Sequence, residues 1–292
     1  MANTRVLVQR RKAIRNIRKI TRTMELIATA QFKKALDRAL QAEAFTRKIG
    51  ELAADLSANA GALTHPLLTA HPEVKNSVLL VLCSNRGLCG GYNGAILREA
   101  NGRIREDKAS PIATQIEASG KRSIMFYRFQ KVPLAQAYTQ FEDKPKFEQV
   151  DELATRYIAD YIAGNIDRVD VAYMKFINAA KQQAVVETLL PLGGTPGATA
   201  NATAGPKVEY EFIPDAASIL AEILPVSFKV RLFKCFLDAA VSEQIARRVA
   251  MKAATDNADD IIKQLSQEYN RARQSKITTE LSEIIAGAAA LE

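Results

Sequence analysis

The first sixty residues contain no proline, and their only glycine is Gly50. Strong helix formers dominate this stretch. Its apolar residues recur at steps of three and four, which predicts a single apolar seam along one helix. The seam comprises Ile14, Ile17, Ile20, Met24, Ile27, Leu36, Leu40 and Phe45. Such a helix would be about 80 Å long, a length typical of a coiled coil.

A second long helix is predicted after Pro225, because no proline follows it. Its apolar residues form a similar stripe: Val230, Phe233, Phe236, Leu237, Val241, Ile245, Val249, Ile262, Leu265, Tyr269, Ile277, Leu281, Ile284 and Ala288. Two long seams must be buried against each other or against a partner. We therefore expect an antiparallel coiled coil formed by an N-terminal part, 1–62, and a C-terminal part, 213–292.

Between the two helices, the pattern changes to short apolar runs separated by turns. "SVLLVLCS" (77–84), "RSIMFYRF" (122–129), "VDVAYMKFI" and "AVVETLLPL" predict strands. Helices are predicted up to about Asp107 and over 147–163. This order predicts a central Rossmann-like α/β layer domain over 74–212. Its low-complexity segment, 193–206, is predicted to be a flexible loop.

Charge and composition narrow the possible functions. The net charge is +8 and the pI is about 9.3, which indicates an acidic partner: nucleic acid, an anionic lipid surface or an acidic protein. Eight of the first twenty-four residues are basic, and the first acid is Glu25. This opening stretch could be a transit peptide, a nucleic-acid-binding arm or a working part of the mature protein. No apolar run is long enough to cross a membrane.

Few residues can support catalysis. Both histidines, His65 and His71, precede prolines and are expected in turns, so a histidine-dependent triad is excluded. Three cysteines fit a reducing compartment. The glycine-rich "CSNRGLCGGYNG" follows a predicted strand but lacks both G-x-G-x-x-G and the P-loop spacing. It is either a tight strand-to-helix turn or a nucleotide-binding loop. Cys89 within it is either an inert thiol or one activated by Arg86.

Two other functional classes fit parts of the sequence. A nucleic-acid-binding coiled-coil protein would explain the basic first helix, although that stretch lacks aromatic residues. A dinucleotide-dependent enzyme would use the α/β domain, although the glycine spacing argues against it. Gel shifts on duplex DNA and thermal-shift titrations with NAD and ATP would separate these alternatives.

Three stretches of the chain together resemble one known family. These are "RNIRKITRTMELIATAQFKKA", "SNRGLCGGYN" and the C-terminal pair "SEQIARRVAMKAATDNA" and "YNRARQSKITTELSEIIAGAAAL". In motif, order and spacing they resemble the gamma subunit of F-type, proton-translocating ATP synthases of the bacterial type. The resemblance covers essentially the whole chain.

The resemblance implies a central rotor shaft, present in one copy, that turns inside a hexamer of alpha and beta subunits. It would couple proton-driven rotation of the c-ring to ATP synthesis or hydrolysis. Epsilon and delta subunits would be further partners, and nucleic acid would not. The chain itself would be non-catalytic and bind no cofactor, because ATP, ADP and magnesium bind on alpha and beta subunits. We expect a peripheral membrane protein at the cytoplasmic face of the bacterial plasma membrane, without a signal or transit peptide.

The resemblance also assigns individual positions. Met24 matches a position that faces an acidic lever of a beta subunit. Other matches lie in a patch contacting beta-subunit loops: Arg247, Arg273, Gln274 and Thr278. The family's motif loop corresponds to Arg86, Gly87, Leu88, Cys89, Gly90 and Gly91. Without the resemblance, Arg273 and Gln274 would be interpreted as part of a solvated helix face. Asn85 and Arg248 depart from the family's usual residues.

Overall fold

The computed structural model describes residues 4–59, 65–141, 144–192 and 216–289. Two long helices frame the chain: α1, Thr4–Asn59, and α5, Ala216–Ala289. The prediction of two long terminal helices is confirmed. However, α5 begins before Pro225, which lies inside it. Leu220 and Leu224 before this proline and Phe228 after it are buried, so packing holds the helical turns on both sides.

The chain divides into two compact units. We call Met1–Thr29 with Arg247–Glu292 the helical unit, and Ala30–Ala246 the α/β unit. Both long helices contribute to each unit. The three-part division at 1–62, 74–212 and 213–292 stays a prediction, and its loop at 193–206 lies outside the described residues.

The α/β unit contains a five-stranded sheet in the order β3-β2-β1-β4-β5. Its strands are β1 Asn76–Leu82, β2 Ala113–Ser119, β3 Gln136–Tyr138, β4 Arg168–Phe176 and β5 Gln182–Leu190. The first four strands are parallel, and β5 is antiparallel to β4. Three helices connect the strands: α2 Tyr92–Ala109, α3 Lys121–Phe129 and α4 Phe147–Ile162. This arrangement confirms the Rossmann-like α/β layer.

One predicted strand is wrong, because residues 122–129 form helix α3. The true second strand is β2, whose alternating polar residues concealed it. In α3 the apolar run divides between two faces. Ile124 and Tyr127 are buried, whereas Met125 and Phe129 are 61% and 88% exposed. A mostly apolar run therefore did not mean a fully buried strand.

Both faces of the sheet are covered within the α/β unit. On one face, α4 and the first half of α5 pack against β1 and β4, with Tyr157, Phe228 and Leu80 fully buried. On the other face, α2 and α3 pack against β1 and β2, with Ile96 and Leu79 fully buried. The N-terminal half of α5 is thus a structural part of the layer as well as of the helical pair.

Contacts between α1 and α5 confirm the antiparallel pairing. In the helical unit, Arg18 forms an ion pair with Asp259, and the Thr255 hydroxyl donates to the Thr21 hydroxyl at 2.8 Å. In the α/β unit, Lys234 lies 3.6 Å from Glu43. Residue numbers therefore increase along α1 while those of the contacting residues in α5 decrease, as expected for antiparallel helices.

The predicted seam of α1 is only partly correct. Between residues 4 and 50 of α1, the buried residues are Leu7, Thr21, Ala28 and Ala39, while Ile14 and Met24 are half-buried. The remaining apolar residues of the prediction are about half exposed or half-buried: Ile17, Ile20, Ile27, Leu36, Leu40 and Phe45. Small side chains at the true seam allow close approach of the helices. The larger isoleucines lie beside it.

The predicted stripe of α5 divides at the boundary of the two units. Its N-terminal members, including Phe236, Leu237, Val241 and Ile245, are buried. Among the later ones, Ile262, Leu265 and Tyr269 are half-buried. Val249, Ile277, Leu281 and Ile284 are more than half exposed. They are therefore not buried within the pair, and their burial against a partner stays a prediction.

Candidate functional site

The helical unit presents an unusual number of exposed apolar side chains. On α1 they are Val6, Val8, Ile17, Ile20, Leu26 and Ile27. On α5 they are Val249, Ile261, Ile277, Leu281, Ile284 and Ile285. Their exposed fractions lie between 40% and 67%. Single exposed apolar residues are ordinary, but this many on one helical pair indicate a surface that contacts another protein.

The last described turns of α5 are the most exposed part of that surface. From Ile277 to Gly287 every residue is exposed except Thr279, which is half-buried. Apolar and polar residues are mixed along this stretch, and the Thr278 hydroxyl donates to the Gln274 carbonyl at 3.0 Å. Since this bond satisfies the hydroxyl donor, the threonine presents mainly its methyl group and an acceptor oxygen.

The structure places the predicted contact residues in two environments. Arg273, Gln274 and Thr278 lie on consecutive exposed turns of α5. Met24 is half-buried on α1, and Arg247 is only 7% exposed. The first three are therefore available to a partner together, whereas Arg247 is held within the helical unit.

Positive charge is spread along the same part of α1. Arg10, Lys12, Arg15 and Lys19 are exposed. Arg22 is engaged locally, because its Nη1 lies 2.8 Å from Glu25 on the next turn. Exposed pairs of this kind contribute little stability. The basic face is therefore suited to contact acidic groups without being fixed to one of them.

The motif loop after β1 is closed by its own hydrogen bonds. The Asn93 side chain accepts from the Ser84 amide at 2.9 Å and donates to the Ser84 hydroxyl at 2.8 Å. Asn93 also donates to the Cys89 sulfur at 3.2 Å, and the Ser84 hydroxyl contacts the Arg86 carbonyl at 2.6 Å. Cys89 is buried inside this turn. The geometry favours the tight strand-to-helix turn over a phosphate-binding loop.

Two backbone positions give the loop its shape. Gly90 has a φ of 57°, and Leu88 has a φ of 65°. A leucine in this region is uncommon and is maintained only when the surroundings enforce it. Its side chain is 59% exposed. At Gly87 a Cβ would lie 2.5 Å from Nη2 of Arg122, so a larger residue there requires only that this flexible side chain move. The exposed residues of the loop are Arg86, Leu88, Gly90 and Gly91.

Helix α5 occupies the place where related sheets bind nucleotides. In open α/β sheets, ligands bind in the crevice at the carboxyl ends of the central strands. Here the Tyr92 hydroxyl, just after the motif loop, donates to the Ala239 carbonyl of α5 at 3.1 Å. The rings of Phe141 and Phe236 lie 4.7 Å apart. Since α5 packs into this crevice, the dinucleotide-enzyme alternative is disfavoured.

Of the three cysteines, Cys89 and Cys235 are buried and Cys83 is half-buried. Burial raises the pKa of Cys83, and the neighbouring Cys89 and Glu243 raise it further. Burial likewise raises the pKa of Cys235, with smaller contributions from Glu187 and Asp238. A raised thiol pKa lowers the fraction of reactive thiolate. Cys83 and Cys235 are therefore structural residues.

Buried charges in the sheet were missed at the sequence level. Glu117 on β2 accepts from Arg156 at 2.7 Å, from Tyr157 at 2.6 Å and from Tyr138 at 2.8 Å. The signal was available, because an acid within a buried strand requires a partner. The nearest tyrosines and arginine came from distant segments, so their identity could not be predicted.

A second buried network joins the amino end of β4 to α2. Arg168 lies 2.6 Å from Asp107 and 2.7 Å from Asp170, and Arg103 lies 3.0 Å from Asp170. Thr114 and Thr188 donate to the same two carboxylates. Both carboxylates are therefore paired with arginines and accept hydrogen bonds from hydroxyls, and these contacts hold α2 against the sheet. It is structural.

Comparisons with known proteins agree over the whole chain. A family model described as ATP synthase matches residues 3–291. The ATP synthase gamma chain of Rhodopirellula baltica is 54% identical over 295 residues, covering all of both chains. A chain of the Euglena gracilis mitochondrial ATP synthase, solved in rotational state 3, has a TM-score of 0.63 at 17% identity and covers 99% of this chain and 94% of its own. A chain of the Tetrahymena thermophila central stalk and c-ring has a TM-score of 0.56 at 18% identity, covering 80% and 99%.

The paired antiparallel helices and the mixed sheet define a class of fold found in rotary ATP synthase stalks. The sequence relationship is closer than this shared fold. The chain belongs to the ATP synthase gamma chain family, and is thus a subunit of that enzyme complex. Within the described ranges, no helix has the length and apolarity needed to span a membrane.

Proposed function

We propose that this chain is the rotating shaft of its ATP synthase. In this role, its helical pair turns inside a hexamer of alternating alpha and beta subunits and transmits c-ring rotation to their catalytic sites. The same coupling can run in either direction, towards synthesis or hydrolysis. The proposal extends family membership to a mechanism for this particular chain.

The observation that carries the proposal is the exposed apolar surface of the helical unit. A stalk that only bridged two bodies through solvent would be polar on its outer faces. Here Ile20, Ile27, Leu281 and Ile284 are each more than half exposed. Apolar contacts are non-directional, so an apolar sleeve can enclose these side chains at many angles. Steric contact along the helices would carry torque.

Charged and polar residues would set the preferred rotation angles of the helical pair within the surrounding apolar surface. Arg273, Gln274 and Thr278 are exposed together, and we assign them to contacts with beta-subunit loops. Met24 would face an acidic lever of a beta subunit. We assign Arg247 to a contact with beta-subunit loops as well, at a position of α5 that is 7% exposed in the chain by itself. Ion pairs exposed to water contribute only about 0–1 kcal/mol, so they can guide rotation without stopping it.

We further propose that the chain has no catalytic role and holds no cofactor of its own. The crevice of its sheet is occupied by α5, and its motif loop is closed by Ser84, Asn93 and Cys89. ATP, ADP and magnesium would bind on alpha and beta subunits instead. The motif residues Arg86, Gly87, Leu88, Cys89, Gly90 and Gly91 would shape a protein-facing surface rather than bind phosphate.

The remaining partners follow from the same role. Epsilon and the c-ring would contact the α/β unit, delta would belong to the same complex, and one copy of the chain would be present per complex. The complex would place the chain at the cytoplasmic face of a bacterial plasma membrane as a peripheral subunit. The basic face of α1 would serve acidic protein groups rather than nucleic acid.

The double variant Arg273→Ala with Gln274→Ala tests the assigned contacts. We expect lower ATP-driven proton pumping or a lower yield of assembled complex, because two stator contacts are lost. The matched control is Gln267→Ala with Arg271→Ala, which changes the same residue types at exposed positions of the same helix. Unchanged pumping and yield in the first variant would contradict the assignment.

A tagged chain that purifies without alpha and beta subunits would contradict the proposed function itself.

A further inference from the structure

Asp238 is a buried acid that the proposed mechanism does not use. It lies on α5 within the α/β unit and is only 3% exposed. Its Oδ2 atom is buried and has no hydrogen-bond partner among the described residues. Burial of an ionised carboxylate without partners is costly, so such a group is accommodated best in its neutral form.

The neighbouring cations are already engaged by other acids. Lys234 on α5 lies 3.6 Å from Glu43 of α1. Lys175 on β4 lies 3.6 Å from Glu187 of β5, and Arg231 lies 3.4 Å from the same carboxylate. If Asp238 were ionised, this cluster would contain three carboxylates, those of Asp238, Glu43 and Glu187. Its positive charges are already paired with the other two. Tyr173 on β4 and Cys235 on α5 are the other titratable groups that interact with it.

The chemistry of this environment favours the protonated acid. Burial raises the pKa of Asp238 to about 7. Glu43 and Glu187 raise it as well, while Lys234 and Lys175 act in the opposite direction. Proton release would thus occur near neutral pH, where an ordinary aspartate is already ionised.

Asp238 also lies beside the packing that holds α1 to α5. The adjacent Leu237 and the next-turn Val241 form a cluster with Ala39. Glu43 is one turn further along α1 from Ala39. The acid is thus placed where a change in its charge acts directly on the contact between the two helices.

We propose that the junction of α1, α5 and the β4–β5 edge is a pH-responsive joint, closed when Asp238 holds a proton and loosened when it releases it. The titrating proton is exchanged with solvent, and no other group changes its bonding. The part expected to loosen is the α1 segment over residues 35–46. This inference does not depend on the proposed rotor function.

The direction of the pH effect follows from linkage. In the closed joint the pKa of Asp238 is raised, so the closed state binds the proton more tightly than the open state. Stability of the joint is therefore complete below about pH 4 and falls as the pH rises through about 7. The equilibrium between open and closed forms should shift by up to about tenfold per pH unit between roughly pH 5 and 7, and level off above that.

Hydrogen exchange on the full-length chain tests the joint. Exchange of amides in residues 35–46 is measured from about pH 5.5 to 8 and corrected for the intrinsic exchange rates. The wild type should show opening that rises about tenfold per pH unit up to about pH 7. In Asp238→Asn this rise should be absent, while the control Asp37→Asn, at an exposed position of α1, should behave as the wild type.

Infrared spectroscopy keeps the proposal testable even if Asp238→Asn fails to fold. The wild type should show a protonated carboxyl band at about pH 6 that weakens by about pH 8, and Asp238→Glu should shift its frequency. A wild type without pH-dependent opening, an Asp238→Asn variant that retains it, or a spectrum without this band at about pH 6 would each overturn the joint.

Discussion

Gly120 shows how much a single residue determines in the α/β unit. It lies between β2 and α3 with a φ of 94°, and its own amide donates to the Tyr138 carbonyl. A Cβ at this position would lie 2.0 Å from the Cys83 carbonyl oxygen. Because backbone atoms cannot move away as a flexible side chain can, only glycine fits.

We expect Gly120→Ala to destabilise the chain by at least about 3 kcal/mol, since it combines an unfavourable backbone conformation with a steric clash. Urea denaturation followed by circular dichroism measures this change. Gly102→Ala is the matched control. Gly102 lies within α2, and a Cβ added there would have no other atom within 4 Å. The control should raise stability by about 0.5–1 kcal/mol. Equal effects of the two changes would refute this explanation.

Asp167 holds the loop before β1 through three hydrogen bonds. It accepts from the backbone amides of Lys75 and Asn76, each at 2.8 Å, and lies 2.6 Å from Nδ1 of His71. Burial by itself raises the pKa of Asp167, but these hydrogen bonds outweigh burial and lower it. The ionised form is therefore the one that stabilises the fold.

A lowered pKa in the folded state gives stability that is present above the unfolded value and lost as the pH falls. We expect Asp167→Asn to cost about 1–3 kcal/mol at pH 7, with the difference from wild type narrowing below about pH 4. Thermal melting from about pH 7 to 3 measures it. Asp256→Asn, at an exposed position, should leave the pH profile unchanged. A constant difference across the whole pH range would exclude this role for the carboxylate.

At the scale of elements, the pairing of α1 with α5 depends on small residues at close contacts. Ala28 is fully buried within the helical unit, whereas its neighbour Ile27 is 56% exposed. We expect Ala28→Leu to destabilise the helical unit by about 1–3 kcal/mol, because the larger side chain forces the helices apart. Thermal unfolding monitored at helix-specific wavelengths measures the effect.

Ala13→Leu provides the control for overpacking. Ala13 lies on the same helix at an exposed position, so adding volume there should change stability by less than about 0.5 kcal/mol. If Ala28→Leu were as well tolerated as Ala13→Leu, the close antiparallel packing at Ala28 would be wrong.

The elements also show what the sequence could and could not predict. Helix length was predictable from the absence of proline and the regular apolar spacing. The seam was misplaced because large apolar residues such as Ile20 and Ile27 were assumed to be buried. Which stripe of a helix is buried depends on its partner, and here Ala28 and Thr21 allow the closer approach. Ala and Thr carry too weak a hydrophobic signal to reveal this in one sequence.

The candidate site was predictable to a similar extent. Family motifs identified Arg273, Gln274 and Thr278, and the structure places all three on exposed turns of α5. Their assigned contacts with a beta subunit stay a prediction. The burial of Arg247 and the unsatisfied Oδ2 atom of Asp238 depend on residues brought together by folding. No spacing rule within α5 could have revealed either.

At the scale of the whole molecule, the exposed apolar and basic surfaces make sense only in an assembly. A chain with this surface would be expected to associate, since patches of this kind mark protein contacts. The rotor proposal assigns these surfaces to the surrounding alpha and beta subunits. It also requires the chain to turn as a body while ATP is hydrolysed around it.

Direct observation of rotation tests that claim most directly. The assembled complex is immobilised through its beta subunits, and a probe is attached to Lys108→Cys, an exposed position of the α/β unit. Addition of ATP should drive rotation of the probe in one direction, with three pauses per turn for the three beta sites. ATP hydrolysis by the same complexes with a stationary probe would contradict the account.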